Sequence, residues 1–137
     1  MKRRILVLAV AAVAALTVAG VVLAGNAHFV GTPTLTTSGN TITIAGKVAG
    51  LGNIPQVHVE ITADAQCINP GSNRPKAANK QSIGAGGDFP VQNGKANFSV
   101  SATATFQPDC TPPMTLVFSN VTVTVTADDG TFLQHSF

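Results

Sequence analysis

Apolar and polar residues alternate with a period of two over most of the chain beyond Thr34. This is the signature of strands with one face in a core and the other in water. Thr41-Ile42-Thr43-Ile44 alternates cleanly and follows the turn cluster Ser38-Gly39-Asn40. A hairpin is therefore predicted between Thr34–Thr37 and that strand, with Leu35 on the same face as Ile42 and Ile44. Gln56–Ala63 repeats the pattern: Val57, Val59, Ile61 and Ala63 point in, and His58, Glu60 and Thr62 point out. Gly50–Pro55 before it reads as a loop. Asn93-Gly94 predicts a two-residue turn, because both central positions need positive φ. In that hairpin of Asp88–Gln92 with Lys95–Phe106, Val91 faces Ala96 and Phe89 faces Phe98.

Met114, Leu116 and Phe118 share one parity, while Val121, Val123 and Val125 share the other. A bulge or strand break is predicted at Ser119-Asn120. After Asp128-Asp129-Gly130, a three-residue turn pairs Val125 with Leu133 and Val121 with Phe137. A two-residue turn would bury Phe132 instead, so the first register, which buries two large apolar groups, is favoured. It places His135 among valines.

Residues 66–87 break the pattern. They are rich in Asn, Gly, Ala and Lys, contain Pro70, Pro75 and Gly84-Ala85-Gly86-Gly87, and read as a long connection with a helical turn over Lys76–Gln81. Gln107–Pro113 reads as a rigid, proline-rich loop. Cys67 and Cys110 fall in these two loops, just after strand ends, and such an even pair predicts a disulfide. Such a bond would tie two loops at one pole. With about seven or eight short strands, each polar on one face, the expected fold is an all-β, immunoglobulin-like antiparallel sandwich. The resemblance to immunoglobulin domains is one of architecture: no Trp lies between the cysteines.

The chain start follows a different grammar. Met1-Lys2-Arg3-Arg4 precedes an apolar run from Ile5 to Ala24, broken only by Thr17 and Gly20, and Gly25-Asn26-Ala27 offers small residues around a cut. Charge, apolar core and small-x-small site in that order describe a hydrophobic signal helix. Cleavage is expected after Ala27, giving a leader of 1–27 and a single secreted domain of 28–137. The Ala-rich leader points to bacterial export. The alternative is an uncleaved anchor, since the 20 residues of 5–24 suffice to span a membrane.

Charge changes with that cut. Three of the eight Lys and Arg lie in the leader, so five cations face six anions in the remainder. The basic balance of the whole chain belongs to the leader, and no nucleic-acid partner is expected. The chain has neither Trp nor Tyr, which removes the rings on which sugar-binding modules stack their ligands.

Candidate chemistry is sparse. His28, exposed as a first residue, would offer an amine and an imidazole to copper(II). In this the chain start resembles that of the periplasmic copper carriers and the lytic polysaccharide monooxygenases. The resemblance implies His28 as a two-point ligand, with His58 or His135 adding a nitrogen. Arg74, Lys76 and Lys80 cluster in the long loop and form a second candidate surface. Asp128-Asp129 falls far short of the six to eight oxygens of a calcium site. Thr and Ser rows on outward faces fit a low-charge solvent surface. No motif joins a nucleophile to a base. The expectation is a non-enzymatic, exported binding or structural module of the cell surface or extracellular space. Its partner is unknown, its contact with the membrane is limited to the leader, and its working surface lies at the disulfide pole, over 66–87 and 107–113. A copper-binding secreted protein is the alternative.

Overall fold

The computed structural model describes residues 26–71 and 79–137. Eight strands follow in order: β1 (His28–Phe29), β2 (Thr34–Ser38), β3 (Thr41–Ala49), β4 (Gln56–Ile68), β5 (Lys80–Pro90), β6 (Ala96–Thr103), β7 (Thr115–Thr126) and β8 (Phe132–Ser136). They form two antiparallel sheets. In the first, β3 is central, with β6 along one side and β1 and β2 in succession along the other. The second has the order β5-β4-β7-β8. No helix of more than a turn occurs among the described residues.

The alternation in the sequence becomes two inner faces. Ile42, Ile44 and Val48 of β3 and Phe98, Val100 and Ala102 of β6 meet Val57, Val59 and Ile61 of β4 and Val121, Val123 and Val125 of β7 in one core. The β2–β3 hairpin has the expected register: Leu35 pairs with Ile44 and packs on the core, and Gly39 takes φ +57° in the turn. A second, smaller core of Ala65, Cys67, Ala104 and Phe106 lies at the far end of the sandwich.

The bulge falls where the parity changes. Thr62 pairs with Thr122 but Asp64 with Ser119, so Asn120 and Val121 oppose Ala63 alone. Asn120 adopts φ +50°, a left-handed conformation that Asn tolerates better than most residues. The final turn also has the favoured register. Val125 pairs with Leu133, Phe137 N donates to Val121 O at 3.0 Å, and Phe132 is left 62% exposed.

Three expectations are corrected. Asn93 and Gly94 do turn with positive φ, 52° and 74°, and Gln92 bridges Lys95. Beyond that bridge the chains part: β5 pairs with β4 and β6 pairs with β3. The turn is a corner between sheets, not a hairpin, and Phe89 meets Phe98 edge to face across the core, centroids 6.3 Å apart. Second, 66–87 is not one long connection. β4 runs on to Ile68 and β5 begins at Lys80, so Lys80 and Gln81 are extended, not helical. Gly84 and Gly86 sit on the outer face of β5, opposite Thr62 and Glu60, and the inward set Ile83, Ala85 and Phe89 packs on the core. Third, only Cys110 is in a loop; Cys67 lies within β4.

Candidate binding surface

The disulfide joins Cys67 to Cys110, with Cα atoms 5.8 Å apart. It fixes the connection between β6 and β7 onto the end of the second sheet. The same connection is held elsewhere. Ala104 N donates to Asn40 O at 2.9 Å, and Thr105 N donates to the Gln81 side-chain oxygen at 3.0 Å. Phe106 closes the small core from this side. The pole expected to carry the working surface is thus a braced one.

On the outer face beside it stands a polar cluster that sequence reasoning missed. Asp64 Oδ2 accepts a hydrogen bond from Asn120 Nδ2 at 2.8 Å, and Oδ1 accepts one from the Ser82 hydroxyl at 3.1 Å. The Asn120 amide, and then the Ser82 hydroxyl, hold the carboxyl below its usual value of 3.8. Hydrogen bonds to the charged form act in that direction. Three strands supply the cluster: Asp64 and Ser82 are cross-strand partners on β4 and β5, and the bulge of β7 brings Asn120 to them. Two open hollows flank it. One, of about 370 Å³, is lined by Asp64, Gln66, Lys80, Gln81 and Ser82. The other, of about 450 Å³, is lined by Thr62, Asp64, Ser82, Gly84 and Asn120. Gly84 leaves its side of the second hollow bare. The signals were present in the sequence: Asp64 continues the outward parity of His58, Glu60 and Thr62, and Asn is a common residue at a left-handed position.

Of the cationic trio, Lys80 is exposed and pairs with Gln66 on the rim of the first hollow. Arg74 and Lys76 lie outside the described residues.

The three histidines stand on three different strands. His28, on β1, pairs with Ala49, and its Nδ1 lies 2.6 Å from Asn26 O. His135, on β8, pairs with Val123 and packs edge to face between Phe29 and Phe137, centroids 6.3 and 4.7 Å away. His58, on β4, donates from Nδ1 to Asp88 Oδ1 at 2.8 Å across the β4–β5 ladder. Among the described residues no three His, Cys, Asp or Glu side chains are grouped to hold a metal ion.

His58 has Asp88 on one side and Thr126 on the other, in one row across three strands. An acid, a base and a hydroxyl in that order resemble the parts of a nucleophilic site. The ring, however, lies over Gly86 on the β5 side: a Cβ at Gly86 would be 3.1 Å from Nε2. The nitrogen that would have to serve the Thr126 hydroxyl is therefore turned away from it. With both partners about half exposed, the His58–Asp88 pair is a solvent-exposed surface contact worth no more than about 1 kcal/mol.

A larger hollow of about 620 Å³ lies between the Gly50–Pro55 loop and the Asn93-Gly94 turn, tied by Leu51 N to Gly94 O at 3.0 Å. Lys95 is the one ionisable group on its lining, so it offers less chemistry than the cluster around Asp64. No protein-family model matches the chain, and no curated protein or solved structure matches it.

Proposed function

We propose that the protein is an exported, non-enzymatic binding or structural module that works at the cell surface or in the extracellular space. Its working surface is the outer face of the second sheet beside the disulfide, centred on Asp64, Ser82, Asn120, Gln66 and Lys80. The observation that carries this reading is the Asp64 cluster. A charged group is held in place by two side chains from two other strands, between two open hollows, on a scaffold braced by a disulfide. Preorganised polar groups on a rigid frame cost little to order when a partner arrives. The sequence of charge, apolar run and small residues at the chain start, together with the disulfide, supports export into an oxidising space. The topology supports an immunoglobulin-like sandwich: β3 beside β6 and β4 beside β7, with crossings between sheets, is a Greek-key arrangement.

A partner for this surface presents hydrogen-bonding groups and mixed charge rather than flat apolar rings, since it meets a carboxylate, an ammonium, amides and hydroxyls. The test immobilises the secreted protein and measures retention of purified cell-envelope polysaccharides and of extracellular proteins from the host. Saturable binding that falls at least tenfold in Lys80→Glu and in Gln66→Ala, with unchanged thermal unfolding, supports the reading. Binding indifferent to both changes overturns the assigned surface. Turnover of ester, peptide or glycoside substrates by the purified protein overturns the non-enzymatic reading.

A further inference from the structure

The leader grammar sets the cut after Ala27, but the fold treats Asn26 and Ala27 as its own. Ala27 is half-buried and packs on the main core. Directly after it, His28 and Phe29 pair with Ala49 and Val48, and Val30 N donates to Lys47 O at 2.8 Å. The main chain of Asn26 lies on Gly50, which has φ +72°: its carbonyl oxygen occupies the space that any side chain at position 50 would need. The same oxygen accepts the hydrogen bond of the His28 ring. Asn26 is therefore held by Gly50 below and His28 above, and Ala27 is anchored in apolar surroundings.

We propose that Asn26 and Ala27 belong to the folded domain, and that the exported chain is processed upstream of them, after Ala24, not at the Ala27–His28 bond. This rests on the export reading given above. A processing peptidase needs several unpaired, extended residues around the bond it cuts. At Ala27–His28 those residues include the first strand, which is paired to β3. A cut there before folding would strip Ala27 from the core, uncover Gly50 and set a new ammonium group on the edge of the sheet. A cut after Ala24 leaves every one of these contacts intact. Ala24 supplies the small residue that must precede the bond, with aliphatic Val22 two positions earlier. One chemical consequence follows. The nitrogen of His28 stays in a peptide bond, so His28 offers copper an imidazole alone and not the amine–imidazole pair.

The test expresses the full chain with its own leader in a bacterial host, followed by intact mass and N-terminal sequencing of each cell fraction. An exported chain beginning at Gly25 is expected. A chain beginning at His28 overturns the proposal while leaving export standing, as does an uncut chain held in the membrane. An uncut cytoplasmic chain with Cys67 and Cys110 reduced overturns the export reading itself. Two variants sharpen the outcome. Ala24→Leu is expected to accumulate as uncut precursor, while Ala27→Val is still processed to Gly25; the reverse pattern overturns the assignment.

Discussion

The Phe98 ring occupies the space beside Gly46 that a side chain there would fill: a Cβ at Gly46 would lie 2.8 Å from Phe98 Cζ. The two residues are cross-strand partners on β3 and β6. Phe98 lies near the middle of an aromatic series through the sandwich, touching Phe29 on one side and Phe89 on the other, each at 6.3 Å. Gly46→Ala is expected to destabilise the domain by about 1–3 kcal/mol, the cost of forcing extra atoms into a packed core. Urea unfolding followed by circular dichroism checks it; a neutral result would show that the ring has room to swing aside.

The disulfide closes a long loop, its cysteines standing 43 positions apart in the sequence. Chain-entropy reasoning gives a stabilisation of about 4 kcal/mol for such a closure. The double change Cys67→Ser and Cys110→Ser, or reduction of the unaltered chain, is expected to lower the unfolding free energy by about that amount as an upper bound. Denaturant titrations with and without reductant measure it.

The Asp64 carboxyl makes stability depend on acid. Its folded pKa lies below the usual 3.8, so its stabilising contribution is present in full above that value. The contribution is lost as pH falls through the lowered folded pKa. Asn120→Ala is expected to return the titration of Asp64 towards 3.8, because the Asn120 amide is the largest cause of the shift. Carbon-detected NMR of the side-chain carboxyl against pH reads this directly.

The same bulge separates two substitutions at one position. Asn120→Gly keeps the left-handed backbone free of strain and loses only the hydrogen bond to Asp64. Asn120→Ala adds the steric cost of that backbone, so it is expected to be less stable than the Gly variant by about 1 kcal/mol. Equal melting of the two would show that the bulge relaxes.

The register of the last hairpin predicts a contrast between neighbours. Leu133→Ala, on the core side, is expected to cost about 2 kcal/mol. Phe132→Ala, on the exposed side, should stay within about 0.5 kcal/mol of the unaltered protein. Thermal unfolding of the pair decides between this register and one in which Phe132 is inward.

Local signals in the sequence carried a good part of the fold. The alternation around Ile42 and Ile44, the parity change at Asn120 and the choice between Phe132 and Leu133 each concern residues a few positions apart, and each has the expected structure. Partner choice was not local. Asn93-Gly94 dictates a turn but says nothing of which strands its arms join. Glycines hid β5, because Gly84, Gly86 and Gly87 contribute no side chains to a pattern that Ile83, Ala85 and Phe89 do carry. The Asp64 cluster is obscured for the same reason: its members come from three strands, and the half of β5 that carries Ser82 reads in the sequence as part of a long connection. His58 was legible as an outward residue, but its partner Asp88 lies across the ladder rather than along the strand.

The corner at Asn93-Gly94 also bears on how the chain finds its shape. A tight turn usually offers a folding chain an early, cheap hairpin, but here its arms zip for a single bridge and then go to strands far away in sequence. β6 must find β3, and β7 must find β4, before either inner face is covered. Assembly that waits on such distant encounters is slow, on the order of milliseconds to seconds. The covalent link between Cys67 and Cys110 spans one of those distant pairings, since Cys67 stands on β4 and Cys110 leads into β7.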